Sequence, residues 1–395
     1  MLESIALLWI CGLLLGFCAK KLHLPALTGM IAAGLLLGSE VFGLLDESLL
    51  SISAQMRQFA LVIILLRAGL SLDVASLKKA GRPALMLCFV PASVELLGVL
   101  LLAPPIFGVS RMEAALIGAV LAAVSPAVVV PRMLKLIEEQ HGTAHQIPQM
   151  ILAGASADDV YVMVLFSAFS GILAGKSASV LDFVQIPTSI LLGGLCGMIG
   201  GLILSYLLQK CHVKGSVSVV LLLSAAFLLM GIQTRTEHSI RISGMIGVMT
   251  LGMTLAAKNQ ASAKECASSC NAVWSAAELL LFGLVGAAVQ LDSIPKYGAK
   301  ALILVFLALG FRMLGVLLSM LGTKLTWRER LFCMLAYTPK ATVQAAIGAI
   351  PLAMGLPCGD LVLAVAVIAI LLTAPLGAWA IDLTSPKLLD KSSES

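Results

Sequence analysis

The residues of this chain that can do chemistry are few. The most telling are two neighbouring acids inside an apolar run, Pro148-Gln149-Met150-Ile151-Leu152-Ala153-Gly154-Ala155-Ser156-Ala157-Asp158-Asp159-Val160-Tyr161. At the helical rise the pair lies about 15 Å from the start of the run, which is mid-bilayer depth if the run crosses a membrane. Adjacent helical residues point about 100° apart, so one carboxylate can face a cavity while its neighbour faces another helix. A carboxylate at that depth holds a proton or a small cation such as Na+ or Li+, not both, and burial together with nearby cations sets the balance. Glu95, Arg67, Arg312 and Lys340 also fall inside apolar runs. A charge there costs roughly 2.5–3.5 kcal/mol on insertion scales and ordinarily faces the protein interior for a reason of function.

These charges suggest partners for one another. Glu95 and Arg312 are expected to form a buried ion pair that holds the core together, with direct proton transfer as the alternative. Arg312 cannot itself carry the proton, because guanidinium does not deprotonate at working pH. Lys340, beside Pro339, is placed to offset an aspartate charge or an unwound carbonyl, and Arg67 to snorkel or pair locally. The five histidines, His23, His141, His145, His212 and His238, fall in connections and read as solvated, with pH sensing at His141 and His145 as the sharper alternative. The nine cysteines form no CxxC pair and read as small apolar residues. No catalytic residue and no cofactor are expected. An intramembrane aspartyl protease would need its two aspartates on separate helices, and an acid-lined channel is the remaining membrane alternative.

The elements that must position these residues follow from composition. Of 395 residues 59% are hydrophobic and 12% charged, and the mean hydropathy is +1.03. One soluble core cannot hide that much apolar surface, so bilayer is the natural solvent. Apolar runs bounded by charges or turn residues give thirteen candidate spans, at 4–19, 25–39, 56–72, 84–106, 112–131, 148–175, 184–208, 216–233, 241–257, 273–291, 299–321, 331–350 and 359–381. With no positive region before it, the first reads as a retained helix rather than a cleaved signal. Lys and Arg crowd one set of alternate connections, Lys20, Lys21, Lys78, Lys79, Arg82, Arg132 and Lys135 among them. They are sparse in the other, where Arg57, Arg111, Lys176, Arg235, Arg241, Lys296 and Lys300 stand. The positive-inside rule then puts the N-terminus outside and the C-terminus in the cytoplasm. Topology accounts for the net charge of +5, and nothing else favours a nucleic-acid partner.

Two spans are interrupted by proline. The fifth contains Ser125-Pro126-Ala127-Val128-Val129-Val130-Pro131, and the twelfth contains Thr338-Pro339-Lys340-Ala341-Thr342-Val343-Gln344 and reaches Pro351. Each should unwind or kink within the membrane, which is tolerable only where the freed backbone lines a cavity or faces protein. The breaks stand an odd number of spans apart and so enter from opposite sides. That is the signature of an inverted repeat with a midplane ion site, to which carbonyls near Ser125 could contribute oxygens.

At these residues the chain resembles the cation/proton antiporter superfamily, and within it the NHA-type sodium/proton exchangers, as a bacterial relative. The matching stretches are Leu65-Leu66-Arg67-Ala68-Gly69-Leu70, Val124 to Pro131, Asp158-Asp159, and Pro339 to Gly348. The resemblance implies an all-α polytopic membrane protein of about thirteen helices, an inverted-repeat antiporter fold with two crossing broken helices. It also implies a homodimer in the bacterial inner membrane. A scaffold of 1–72 and 216–291 would hold a moving core of 84–175 and 299–381, with a linker at 184–208 and a short cytoplasmic tail at 382–395. Asp159 would be the principal ion and proton site, with Asp158 beside it and Ser125 near the crossing. Exchange of Na+ or Li+ for H+ is the implied activity, against K+/H+ exchange or a Na+-coupled solute symporter of related fold. Double-aspartate relatives are often electrogenic, whereas the Glu95–Arg312 combination is similar to electroneutral exchangers, so stoichiometry stays open here.

Overall fold

The structure is a computed structural model that describes residues 1–22, 24–71, 74–174, 180–211, 215–236, 242–290 and 292–391. His23, His212, His238, Lys176 and Arg241 lie outside the described residues. Backbone in a bilayer must satisfy its own hydrogen bonds, so the apolar runs fold as helices. In chain order these are α1 (Leu2–Lys21), α2 (Ala26–Leu37), α3 (Glu47–Ser51), α4 (Ser53–Ser71), α5 (Val74–Leu87), α6 (Val90–Phe107), α7 (Arg111–Leu121), α8 (Pro126–Glu138) and α9 (Ile147–Leu173). They continue with α10 (Val180–Lys210), α11 (Ser216–Arg235), α12 (Gly244–Lys258), α13 (Gln260–Ala287), α14 (Ser293–Ser319), α15 (Trp327–Ala336), α16 (Thr342–Ile347), α17 (Ile350–Ala353) and α18 (Gly359–Leu388).

Among the described residues, eight helical stretches are long and apolar enough to cross a membrane, with shorter apolar helices such as α2 and α12 between them. This is a multi-pass membrane protein. Two elements differ from the hydropathy reading. Helix α13 begins at Gln260, so residues 260–272, read as a connection between spans, continue the helix. Helix α18 runs to Leu388, so the polar stretch after Asp382 starts inside a helix, and Leu389 beyond it is buried.

The chain divides into two compact units. One comprises Gln55–Leu72 and Ser170–Leu281. Within it α10 packs along α12, and a Cβ at Gly197 would lie 2.1 Å from the Gly247 carbonyl oxygen, a backbone approach that only glycine permits. Arg67 stands 5.2 Å from the Trp274 ring, a local pairing of the kind expected.

The other unit, Met1–Ala54, Asp73–Phe169 and Phe282–Ser395, carries the buried charges Glu95, Asp158, Asp159, Arg312 and Lys340. Its backbone of packing is α6 against α14. The missing side chains of Gly98 and Gly315 leave room for Phe311 and for the Pro91 backbone, which brings Glu95 and Arg312 onto facing helices. Helix α18 packs on α14, α15, α7 and α8, closing the unit around both interrupted spans.

At one end of this unit the segment leading into α9 is tied to the start of α15. His145 Nδ1 lies 2.7 Å from Glu329 Oε1, so this histidine is engaged rather than simply solvated. His141 is half-buried, and its backbone forms an antiparallel β-bridge with Lys391. Glu329 also accepts from the Thr326 backbone N–H at 2.7 Å, completing a capping box at the α15 N-terminus. Burial pushes the Glu329 carboxyl up, but the hydrogen bonds from His145 and Thr326 outweigh it and hold the group below the usual carboxylate range. A carboxyl depressed on folding stabilises above its unfolded value of about 4.3 and loses that contribution as pH falls through its lower folded value. Glu329→Gln keeps the cap and removes the charge. Its unfolding temperature should therefore trail the unsubstituted chain most above about pH 5, with the gap closing in acid. A gap of constant size across that range would contradict the pairing.

Candidate functional site

Pro126 drives Ser125 out of helical geometry and itself takes the first position of α8, so α7 must end at Leu121 and leave 122–125 unwound. Pro339 does the same to Thr338, and residues 337–341 separate α15 from α16. Pro131, by contrast, stays inside α8, and the first break is confined to the residues before Pro126. The breaks meet: the Ser125 N–H donates to the Pro339 carbonyl at 2.7 Å.

The last turn of α7 presents carbonyls with no helical partner and carries the negative end of the helix dipole. Donors from the second interrupted span and from α14 take them. Lys340 Nζ donates to the Leu121 carbonyl at 2.6 Å. Gln344 Nε2 donates to Ala123 at 2.9 Å and Val120 at 3.1 Å, and Arg312 Nη1 donates to Ala122. Lys340 is itself anchored, its backbone N–H donating to Thr373 Oγ1 on α18 at 2.9 Å. The opposite end of the crossing is held too, since Arg312 Nε donates to the Tyr337 carbonyl at 2.7 Å. A Cβ at Gly154 would fall 2.2 Å from the Tyr337 hydroxyl, so the small residues before the acid pair let α9 reach the second break.

Four fully buried charges then form one chain. Lys340 Nζ stands 2.7 Å from Glu95 Oε1. Arg312 Nη1 stands 3.0 Å from Glu95 Oε2, and its Nη2 stands 2.8 Å from Asp158 Oδ2. That same Asp158 oxygen accepts from the Val124 N–H of the first break at 2.9 Å. Two cations and two carboxylates balance, and Lys340, Arg312 and Asp158 each also hydrogen-bond backbone at or beside the breaks, which is what a buried ion network needs if desolvation is not to outweigh attraction.

Asp159 stands outside this balance. It is 2% exposed, and its Oδ1 has no hydrogen-bond donor. The side-chain oxygens Ser125 Oγ, Asp158 Oδ1, Thr342 Oγ1 and Gln344 Oε1 are likewise buried without a partner. Buried polar atoms are ordinarily satisfied, so unmatched oxygens gathered on the two breaks and the acid pair point to something that enters from outside the chain. Their chemistry suits a hard monovalent cation or a proton. Ser125, Asp158, Asp159, Glu95, Arg312 and Lys340 thus all stand in one compact unit. The sequence reading missed that Asp158, rather than Glu95 alone, takes Arg312, and that Gln344 caps α7. The second had a signal: Gln344 is one helical turn beyond Lys340.

Comparison with known proteins bears on this arrangement. The family described as sodium/hydrogen exchanger, transmembrane, matches residues 5–382. The chain is 32% identical over 385 residues to sodium/hydrogen exchanger 9B2 of Homo sapiens, covering 93% of this chain and 70% of that one. It is 35% identical over 353 residues to the Xenopus tropicalis 9B2 protein, covering 86% of this chain and only 65% of the relative's length. Among solved structures, that of the sodium proton antiporter MjNhaP1 from Methanocaldococcus jannaschii at pH 8 matches with a TM-score of 0.85 at 20% identity, covering 98% of both chains. This last is a likeness of fold.

Glu95 bridges both cations, so its removal tests the chain of charges. Glu95→Gln leaves Lys340 and part of Arg312 buried without a counter-charge and is expected to cost about 3–5 kcal/mol. Thermal unfolding in detergent should show a clear loss against the exposed control Glu3→Gln. Equal unfolding temperatures would mean the network does not hold the core.

Proposed function

The chain belongs to the sodium/hydrogen exchanger family, and on that premise we propose that it is a secondary active antiporter exchanging Na+ or Li+ for H+ at Asp159. The observation that carries this reading is the contrast between the two acids. Asp158 is committed to Arg312 and the Val124 N–H, whereas Asp159 is buried with an unmatched carboxylate oxygen. A lone carboxylate in such a place must be neutralised, and a proton and a cation are alternative ways of doing so. Ser125 and the second oxygen of Asp158 are the neighbouring ligands in this proposal. The transported ions are cargo, and no cofactor takes part.

The charge balance also bears on stoichiometry. Glu95, Arg312, Lys340 and Asp158 neutralise one another, which leaves one carboxylate to change its occupant per cycle. One H+ is therefore exchanged for one Na+, without net charge movement. Glu95 and Arg312 act as the supporting pair, and Lys340 compensates the end of α7.

Alternating exposure of Asp159 is assigned to an elevator-type motion. In it the core of 84–175 and 299–381 moves against a scaffold of 1–72 and 216–291, with 184–208 as linker. Thirteen crossings, an inverted repeat, a homodimer, an outside N-terminus and a cytoplasmic C-terminus in a bacterial inner membrane complete the proposal. They are supported by hydropathy, charge asymmetry and family resemblance.

Reconstituted into proteoliposomes, the protein should dissipate a pH gradient on addition of Na+ or Li+, at a rate indifferent to an imposed membrane potential. Asp159→Asn should abolish the response. Undiminished exchange in that variant would reject the site. A response to K+ alone, or a requirement for an organic solute, would reject the cation assignment in favour of K+/H+ exchange or symport.

A further inference from the structure

The end of the core unit that carries the His145–Glu329 contact also holds a feature ion exchange does not use. A cavity of about 300 Å³ opens there, lined by the apolar Pro83, Met150 and Leu325 and by the polar His145, Thr323 and Lys324 among others. No carboxylate lines it. Glu329, close behind, is already engaged by His145 through Nδ1 and by Thr326, which leaves His145 Nε2 for another partner.

The loop that presents Lys324 is shaped by two guanidinium groups. Arg82 Nη1 donates to the Leu321 carbonyl at 3.1 Å, and Arg330 Nη2 donates to the Thr323 carbonyl at 3.1 Å. Gly322 takes a left-handed φ of 76°, and a Cβ there would stand 3.3 Å from Arg82 Nη1. Arg330 Nε is buried and has no hydrogen-bond partner. Three cations therefore converge on one short turn, and the acid beside it, Glu329, is already taken by His145 and Thr326. Like charges held together in this way repel unless an anion joins them.

We propose that this cavity binds the phosphate of an anionic phospholipid headgroup. Lys324 and His145 Nε2 would reach the phosphate, Thr323 would supply a hydroxyl, and the flanking guanidiniums would add their field. Two features favour a lipid over a free phosphate ion. Part of the lining, Pro83, Ala144, Met150 and Leu325, is apolar, which suits the start of an acyl chain and gives a soluble ion nothing. Trp327, 62% exposed, opens α15 just after the same turn, and exposed tryptophan is enriched at membrane–water interfaces. The cavity is built from the lead-in to α9, which carries Asp158 and Asp159, and the lead-in to α15, which carries the second break. A bound headgroup therefore ties together the two segments that precede the exchange site.

The test uses the full-length protein in detergent, with unfolding temperature read after addition of phosphatidylglycerol, phosphatidylcholine or inorganic phosphate. Phosphatidylglycerol is expected to give at least twice the upward shift of phosphatidylcholine. Lys324→Glu should remove more than half of that excess, while Lys135→Glu, a charge change elsewhere on the same unit, should leave it intact. Should Lys324→Glu fold poorly, Lys324→Gln serves, and native mass spectrometry should find fewer retained phosphatidylglycerol molecules on it than on the unsubstituted chain. An unchanged excess in the Lys324 variants would overturn the proposal, as would equal loss in Lys135→Glu. Stabilisation by inorganic phosphate to the same extent would assign the cavity to a free anion instead. None of these readings depends on exchange activity, so a failure here leaves the assignment of Asp159 untouched.

Discussion

A charge taken out of water has to be met by an opposite charge or by oriented dipoles, and in this protein that requirement ties five spans to one point. Arg312 on α14 can be satisfied only if α6 brings Glu95, α9 brings Asp158, and both interrupted spans bring free carbonyls, because its planar fork needs acceptors in several fixed directions. Lys340 repeats the demand from the second break, joining the Leu121 carbonyl to Glu95. The prolines that cost each helix its continuity thereby become useful. They expose the acceptors that the two cations require, at a depth where no water is at hand to supply them.

The same constraint separates the two aspartates. Neighbours in sequence diverge around a helix, so α9 cannot turn both toward Arg312. Asp158 receives the guanidinium and a backbone N–H. Asp159 receives neither. In the proposed cycle, a neutral frame beside one unmatched carboxylate leaves neutralisation by proton or cation as the variable, and exchange would follow from it as access alternates between the two sides.

Much of this was legible in the residues. Charges within apolar runs, two proline-interrupted spans and a double acid at bilayer depth are statements about cost, and cost is visible in sequence because nothing in lipid hides it. Glu95, Asp158, Asp159, Arg312 and Lys340 were all singled out on that ground, and Ser125 through the first break and the family resemblance; the structure brings them into one unit. Pairings were less visible. That Arg312 divides its fork between Glu95 and Asp158 depends on the closeness of α6 to α14, set by Gly98 and Gly315, whose neighbours no local pattern names. Helix boundaries failed where polar residues are compatible with helix. Lys264 and Glu265 lie within α13, and Asp382 lies within α18, where it meets Arg132 at 3.0 Å.

The central claim is that Asp159 alone trades a proton for a cation, and counting protons tests it most directly. Calorimetric titration of the purified protein with Na+ in buffers of different ionisation enthalpy gives the number of protons released per cation bound. The account expects a number that rises toward one as the pH is lowered to where Asp159 is protonated, and none in Asp159→Asn. Release of two protons per cation, or release that persists in that variant, would show that a member of the supposedly fixed network titrates as well.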